Sequence, residues 1–178
     1  MPTLLQISSS PEYNENTDSD ICKGAVTLLR QHIGERWEEE NEISQNDKQI
    51  IRDNIVESMT KCTDLTVMES LEDCMHIIAV EDYPENWPNI LVQVGENLTA
   101  ESPQVWYASL CALKAIIKKY QSKIGKERKP LLEITENAFD ILEGQFEKHL
   151  TNFDQSSVLI MTVLTKIFYY ANYVVLYP

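Results

Sequence analysis

The residue types that most often carry out catalysis are present but do not occur in a recognised catalytic or metal-binding spacing. The three histidines form neither the His-Glu-x-x-His pair of zinc proteases nor the Glu-x-x-His pair of di-iron bundles. The five glycines are scattered and build no phosphate-binding loop. We therefore expect no catalysis, no cofactor and no metal ion, with a helical-bundle enzyme as a weak alternative. The histidines are His32, His76 and His149.

The four cysteines also lack a reactive or ligating pattern. None belongs to a Cys-x-x-Cys pair, and each lies near apolar positions of a helical pattern. Such cysteines are typical of small core residues in a reducing compartment, whereas zinc sites need paired spacing. A thiol nucleophile is a poor interpretation because no local motif joins a cysteine to a histidine. The cysteines are Cys22, Cys62, Cys74 and Cys111.

The charge distribution favours some classes of partner over others. The formal net charge is −13, and the acidic residues are spread along the chain. This argues against direct binding of nucleic acid, which needs a basic surface, and suits basic protein partners. The simpler explanation is that the charge keeps the protein soluble. No apolar run approaches the roughly 18 residues typical of a membrane span, and we expect no membrane insertion.

Helical patterns recur along the chain in pairs. Ser44 and Asp47 form a capping-box pattern ahead of an apolar stripe, and Asp64 can cap the next helix. Proline opens further helices near Pro88, Pro103 and Pro130. The predicted pairs span residues 44–84, 88–120 and 130–177, the last helix being Ser156 to Leu176. We expect residues 1–37 to form an incomplete first pair, in which Leu4 to Ile7 ends the first helix and Asp20 to Trp37 is its partner.

The spacing of these pairs predicts a repeat architecture. Their first helices begin near residues 47, 88 and 130, at intervals of 41 and 42 residues. HEAT and armadillo repeats have periods of about 40 to 47 residues. No strand-like alternation occurs, so we predict one all-α, right-handed solenoid domain, residues 1–178, of about four helix pairs. A closed helical bundle is the alternative.

The joint between the second and third pairs is the most distinctive segment. It reads Asp82-Tyr83-Pro84-Glu85-Asn86-Trp87-Pro88. Its prolines should stop one helix and allow the next to start. We interpret Trp87 as an apolar plug that seals neighbouring pairs.

This joint and other motifs resemble the importin-β superfamily of nuclear transport receptors, also called karyopherins. The closest likeness is to the N-terminal region of the importin seven and importin eight branch. The matching segments occur in the same order along essentially the whole chain. They are Ile51 to Glu57, Asp82 to Pro88, Trp106 with Leu110 and Leu113, Lys118 to Tyr120, Glu127 with Arg128, Pro130 with Leu131, Ser157 to Ile160 and Lys166 to Tyr169.

The resemblance implies a non-catalytic receptor that shuttles between cytoplasm and nucleus and passes transiently through the nuclear pore. It implies binding of the GTP form of the GTPase Ran by inner helices and of nucleoporin Phe-Gly repeats between outer helices. It also implies binding of protein cargo, in this acidic protein basic cargo, by the full-length receptor. The alternative is a HEAT-repeat scaffold for other proteins that does not bind Ran.

The resemblance also suggests which residues face Ran. The family's Leu-basic-amide motif reads Leu29-Arg30-Gln31, so Arg30 and Gln31 are the leading candidates, with Lys23 on the same helix as a weaker one. On the next inner helix the family's Arg and Gln are replaced by Met68 and Ser70, which leaves Glu69 and Asp73 as possible substitutes. The family's first helix pair and part of the next are missing before Met1, which we interpret as a fragment, an isoform or a gene model.

Overall fold

The computed structural model describes residues 1–10, 19–39, 42–152 and 154–173. Those segments contain eight α-helices, one 3-10 helix (Gly125–Arg128) and no strand. The predicted residues 174–177 of the last pair lie outside the described residues. The α-helices are α1 (Pro2–Ser8), α2 (Ser19–Arg36), α3 (Gln45–Lys61), α4 (Leu65–Asp82), α5 (Ile90–Asn97), α6 (Pro103–Lys118), α7 (Lys129–Leu150) and α8 (Gln155–Asn172).

Side-chain caps fix where several helices begin. The Ser44 hydroxyl accepts a hydrogen bond from the Asp47 amide at 3.1 Å, as the capping-box pattern predicted. The Asp64 carboxylate accepts from two amides of α4, those of Thr66 at 2.8 Å and Val67 at 3.2 Å. These bonds satisfy amides that have no partner within the helix, so both helices start where polar residues precede the apolar stripe.

Two predicted helix ends differ from the structure. Pro88 does not open α5, because residues 83–86, 88 and 89 form turns and the helix starts at Ile90. The Trp87 amide is held by the Asp82 carbonyl at 3.0 Å, which keeps the chain in the turn beyond Pro84. Likewise α6 ends at Lys118, slightly before the expected end near Tyr120, and residues 119–122 form turns. In both places a turn occupies residues that proline placement or apolar periodicity assigned to a helix.

The helices form two layers. One layer, which we term inner, contains α2, α4, α6 and α8, each packed on the next in that order. The outer layer contains α1, α3, α5 and α7, and α6 lies against both α3 and α5. Each helix pair therefore covers the next, which is the packing of a solenoid and not of a closed bundle.

One continuous apolar core lies between the layers. It is densest around α6, where most of the side chains from Trp106 to Ile117 are buried. Trp87, interpreted as a plug at the joint, is only 5% exposed and belongs to this core. Trp106 is buried too, and its indole nitrogen donates to the Leu98 carbonyl at 2.8 Å. Buried tryptophan usually needs such an acceptor for its N–H group.

A buried polar network ties α2, α3 and α4 together at one edge of the stack. One carboxylate oxygen of Asp82 accepts from the Trp37 indole nitrogen at 3.0 Å and from the Arg52 guanidinium at 2.8 Å. The Lys48 ammonium donates to the Trp37 carbonyl just beyond the end of α2. Because all four side chains are buried, this network fixes how the first two pairs meet.

Within the described residues, no helix is both long enough and apolar enough to cross a membrane.

Candidate functional site

The structure brings two of the predicted Ran-facing residues together between neighbouring inner helices. Arg30 lies on α2 and Asp73 on α4, and the Arg30 Nε atom is 3.0 Å from the Asp73 Oδ2 atom. Their side chains are 55% and 47% exposed, so the ion pair is open to solvent and to a partner. The pair joins the first two helix pairs on the inner side of the solenoid.

A second contact joins the same two helices near their first turns. The Lys23 ammonium is 3.4 Å from Asp64 Oδ2, the carboxylate that caps α4. Lys23 lies about two helical turns before Arg30, so the two cations occupy different levels of the α2–α4 contact. Lys23 is therefore held at the start of α4 and does not join the Arg30 and Asp73 pair.

The other two candidates are exposed on the same layer. Gln31 donates from its amide nitrogen to the Glu35 carboxylate at 3.0 Å, one turn along α2. Glu69 is exposed on α4, one turn before Asp73. The two positions that differ from the family have local roles here: Met68 is buried in the core, and the Ser70 hydroxyl donates to the Thr66 carbonyl at 3.0 Å.

Polar residues between α4 and α6 were missed at the sequence level. The Lys114 ammonium lies 2.9 Å from the Glu72 carboxylate, and these side chains are only 11% and 16% exposed. His76 contacts the Ala115 carbonyl through Nδ1 at 2.9 Å, and burial lowers the pKa of its imidazole. A lysine within the apolar run of α6 was the signal that could have revealed the pair, because a buried ammonium needs a partner.

Neighbouring carboxylates on α4 therefore pair in opposite directions. Asp73 pairs with Arg30 on α2, and Glu72 pairs with Lys114 on α6. The two ion pairs run across three inner helices. This charge ladder consists of Arg30, Asp73, Glu72 and Lys114.

The cysteines lie in the core as predicted. All four are buried. Burial raises the pKa of the Cys62 thiol to about 11 and the pKa values of Cys74 and Cys111 to about 12. These three thiols therefore stay protonated at neutral pH, which is the unreactive form.

An apolar groove lies in the outer layer between α5 and α7. Its volume is about 310 Å³. Buried side chains such as Tyr83 and Leu113 form its floor, and Val92 and Ile141 are exposed at 61% and 39%. Glu133 and Asn137 are the polar residues that line it. A groove of this kind can take an apolar side chain of a partner.

Comparison with known proteins connects these features to one family. Residues 1–61 match the importin-beta N-terminal domain family. Importin-8 from Homo sapiens is 29% identical over 178 residues, which covers 94% of this chain and 17% of that protein. A probable importin-7 homolog from Dictyostelium discoideum is 28% identical over 173 residues, with 94% and 16% covered. Exportin-2 from Danio rerio is 24% identical over 181 residues, with 91% and 18% covered.

A solved structure supports the fold. The exportin Cse1 in its cargo-free, cytoplasmic state superposes with a TM-score of 0.77 at 20% identity, covering 96% of this chain and 19% of that one. This likeness confirms the predicted all-α HEAT solenoid. The chain spans less than a fifth of the length of each relative named here. The Importin-8 and importin-7 matches agree with the predicted branch. The N-terminal domain match, the similarity along the chain and the stacked helix pairs together support an importin-β superfamily member.

Proposed function

We propose that this chain is part of a nuclear transport receptor and binds the GTP form of Ran through its inner helices, without catalysis. The observation that carries the proposal is the position of Arg30 and Gln31. Both are exposed on inner helix α2, within the residues that match the importin-beta N-terminal domain. The receptor would thereby contribute to import of protein cargo and shuttle between cytoplasm and nucleus.

The charges of the inner layer support a protein partner with mixed charge. Arg30 and Lys23 offer cations, while Glu69 and Asp73 offer carboxylates on the adjacent helix. Exposed charges of both signs favour association through complementary potentials, which sets orientation and the rate of encounter. Arginine is also among the residues most often found to dominate binding energy at protein interfaces.

Titration with Ran tests the proposal directly. We expect the GTP form to bind at least about ten-fold more tightly than the GDP form, a difference of about 1.4 kcal/mol. Isothermal titration calorimetry with each loaded form measures both affinities. Equal affinity for the two forms would contradict the assignment and favour the scaffold without Ran binding.

Charge reversal tests the position of the interface. Arg30→Glu should weaken binding of the GTP form by about ten-fold, because it replaces a contacting cation with a repelling carboxylate. Arg36→Glu is the matched control, since Arg36 is on the same helix, is 45% exposed and pairs with Glu42 beyond the helix end. Circular dichroism checks that both variants fold. An equal loss in both variants would point to net charge and not to a contact at Arg30.

We also propose that the groove between α5 and α7 binds nucleoporin Phe-Gly repeats. It lies between two outer helices and presents apolar side chains around a space of about 310 Å³. A phenylalanine ring is large and apolar, and its burial there would remove exposed apolar surface such as Val92 from water. The glycine that follows each phenylalanine in the repeat has no side chain, so the peptide backbone could approach the helices closely.

Two substitutions on α7 distinguish binding in the groove from non-specific hydrophobic binding to the surface. Ile141→Ser removes a groove-lining side chain and should weaken binding of a Phe-Gly repeat peptide several-fold. Leu132→Ser is the control, because Leu132 is 57% exposed on the same helix but does not line the groove. Fluorescence anisotropy of a labelled peptide gives both affinities. Equal effects of the two substitutions would contradict this location.

Basic protein cargo is proposed for the whole receptor. The net charge of −13 suits a basic partner by electrostatic complementarity. The chain covers only 17% of the Importin-8 sequence, so cargo contacts can extend over much more surface than this segment offers.

A further inference from the structure

Arg30 already has an acidic partner within this chain. The pair with Asp73 is formed through Nε at 3.0 Å, and both side chains are about half exposed. Exposed ion pairs contribute little to stability, so this one opens at low cost. An arginine fork binds a carboxylate best through two parallel N–H groups. A partner carboxylate that takes up this fork would compete with Asp73 for Nε.

The adjacent ion pair of the charge ladder is more firmly held. Glu72 and Lys114 are 2.9 Å apart and 16% and 11% exposed, which leaves water little access to them. Lys114 therefore stays paired with Glu72 and does not replace Arg30 as the partner of Asp73 when the Arg30 and Asp73 pair opens. Between the two pairs, the Arg30 and Asp73 contact is the one that a partner can exchange.

Opening that contact also creates a local imbalance of charge. Asp73 would be left with Glu69 one turn before it on α4, and like charges at this spacing repel each other weakly. That repulsion adds to the cost of freeing Arg30. The surface therefore fits a partner that presents a carboxylate to Arg30.

We propose that Asp73 is an autoinhibitory competitor for Arg30 and that partner binding exchanges this internal ion pair for one between Arg30 and a partner carboxylate. This inference rests on the proposed binding of Ran and states the direction in which Asp73 changes the affinity for Ran. Asp73 lowers the affinity for the GTP form by occupying Arg30. It acts through Arg30 and is a positioning residue.

Neutralising Asp73 tests whether this carboxylate lowers the affinity for Ran. Asp73→Asn should bind the GTP form of Ran about two- to five-fold more tightly than the wild type, since an exposed pair of up to about 1 kcal/mol no longer has to open. Asp140→Asn is the matched control, because Asp140 is exposed on outer helix α7 and its loss changes the net charge equally. Calorimetry at one fixed salt concentration compares the three proteins. The control should bind like the wild type.

The outcomes separate this inference from the proposed function. Nucleotide-dependent binding by the wild type with equal or weaker binding by Asp73→Asn overturns the competition but keeps the Ran assignment. Tighter binding by Asp73→Asn supports the competition, including the case in which only the variant binds. Absence of binding in both proteins overturns both proposals.

A measurement without Ran checks the internal pair itself. The Arg30 Nε–H resonance, assigned by its loss in Arg30→Lys, should shift in Asp73→Asn because its acceptor has lost its charge. It should not shift in Asp140→Asn. An unmoved resonance in Asp73→Asn would show that the pair does not form in solution and would overturn the competition.

Discussion

Asp82 is the residue on which the junction of the first two helix pairs depends most. Its side chain is 9% exposed and accepts from both Trp37 and Arg52, whose own side chain is 8% exposed. A buried charge that loses its partner costs about 3 to 5 kcal/mol. We therefore predict that Asp82→Asn lowers the free energy of unfolding by about 3 kcal/mol in urea titrations.

Two further variants identify the cause of that loss. Asp53→Asn removes an exposed carboxylate from α3 and should change stability by less than about 0.5 kcal/mol. Adding Arg52→Met to Asp82→Asn should recover part of the loss, because no uncompensated charge is then buried. Equal effects of Asp82→Asn and Asp53→Asn would contradict a buried network.

His76 makes stability depend on pH. Burial between α4 and α6 lowers its pKa below the ordinary value of 6.5, and Lys118 acts in the same direction, while the Ala115 carbonyl, Asp73 and Glu72 act against them. Between the folded and unfolded pKa values the unfolded chain binds more protons, so stability rises with pH across that window. The contribution of His76 to stability is therefore lost as pH falls from above 6.5 towards the pKa of the folded state.

Replacing His76 should flatten this dependence. Urea unfolding from about pH 7.5 to about pH 5 should show a steeper loss for the wild type than for His76→Asn. His32 and His149 are present in both proteins, so their contributions cancel in the comparison. Parallel curves would contradict the assigned shift.

At the scale of the helices, two glycines should respond in opposite directions. Gly144 is exposed within α7, and a Cβ atom there would meet no atom within 4 Å. Gly144→Ala should stabilise the protein by about 0.5 to 1 kcal/mol. Gly125 begins the 3-10 helix with φ of 57°, a left-handed conformation that side chains disfavour. Gly125→Ala should therefore destabilise it by about 1 kcal/mol, and changes of the same sign in urea midpoints would contradict this explanation.

Helix starts and pairing were predictable because they depend on local chemistry. Ser44 and Asp64 cap the helices that their positions indicated, and the apolar stripes define the faces that pack. The start of α5 was predicted wrongly at Pro88, because the hydrogen bond from the Trp87 amide to the Asp82 carbonyl extends the turn. Such a bond depends on how the chain folds back and leaves no periodic trace in the sequence.

The site could be predicted as single residues but not as an arrangement. Arg30 and Asp73 were both candidates, yet their ion pair depends on the relative rotation of α2 and α4. The ion pair of Glu72 and Lys114 likewise depends on how α4 and α6 are rotated against each other. Neither residue was predicted, because Lys114 lies in an apolar run of α6. A family resemblance supplies positions on a helix, whereas contacts between helices need the packed structure.

At the scale of the whole molecule, the stack predicts unequal consequences of removing the same side chain from different inner helices. α6 packs on α3, α4, α5 and α8, whereas α8 packs on α6 and α7. Leu110 on α6 and Leu164 on α8 are both fully buried, so replacement by alanine should cost about 2 to 5 kcal/mol at either position. The two variants should differ in how many helices are destabilised, because repeats depend on their immediate neighbours.

Hydrogen exchange followed by mass spectrometry measures that spread. Leu164→Ala should accelerate exchange in α7 and α8 while the amides of α2 and α4 keep their protection, since the last pair can open alone. Leu110→Ala should accelerate exchange in all eight helices of the described residues, because α6 links both layers and both halves of the stack. Identical exchange patterns in the two variants would mean that the protein unfolds as one unit. The helix pairs would then form a single cooperative core, and the nearest-neighbour description of the solenoid would not hold.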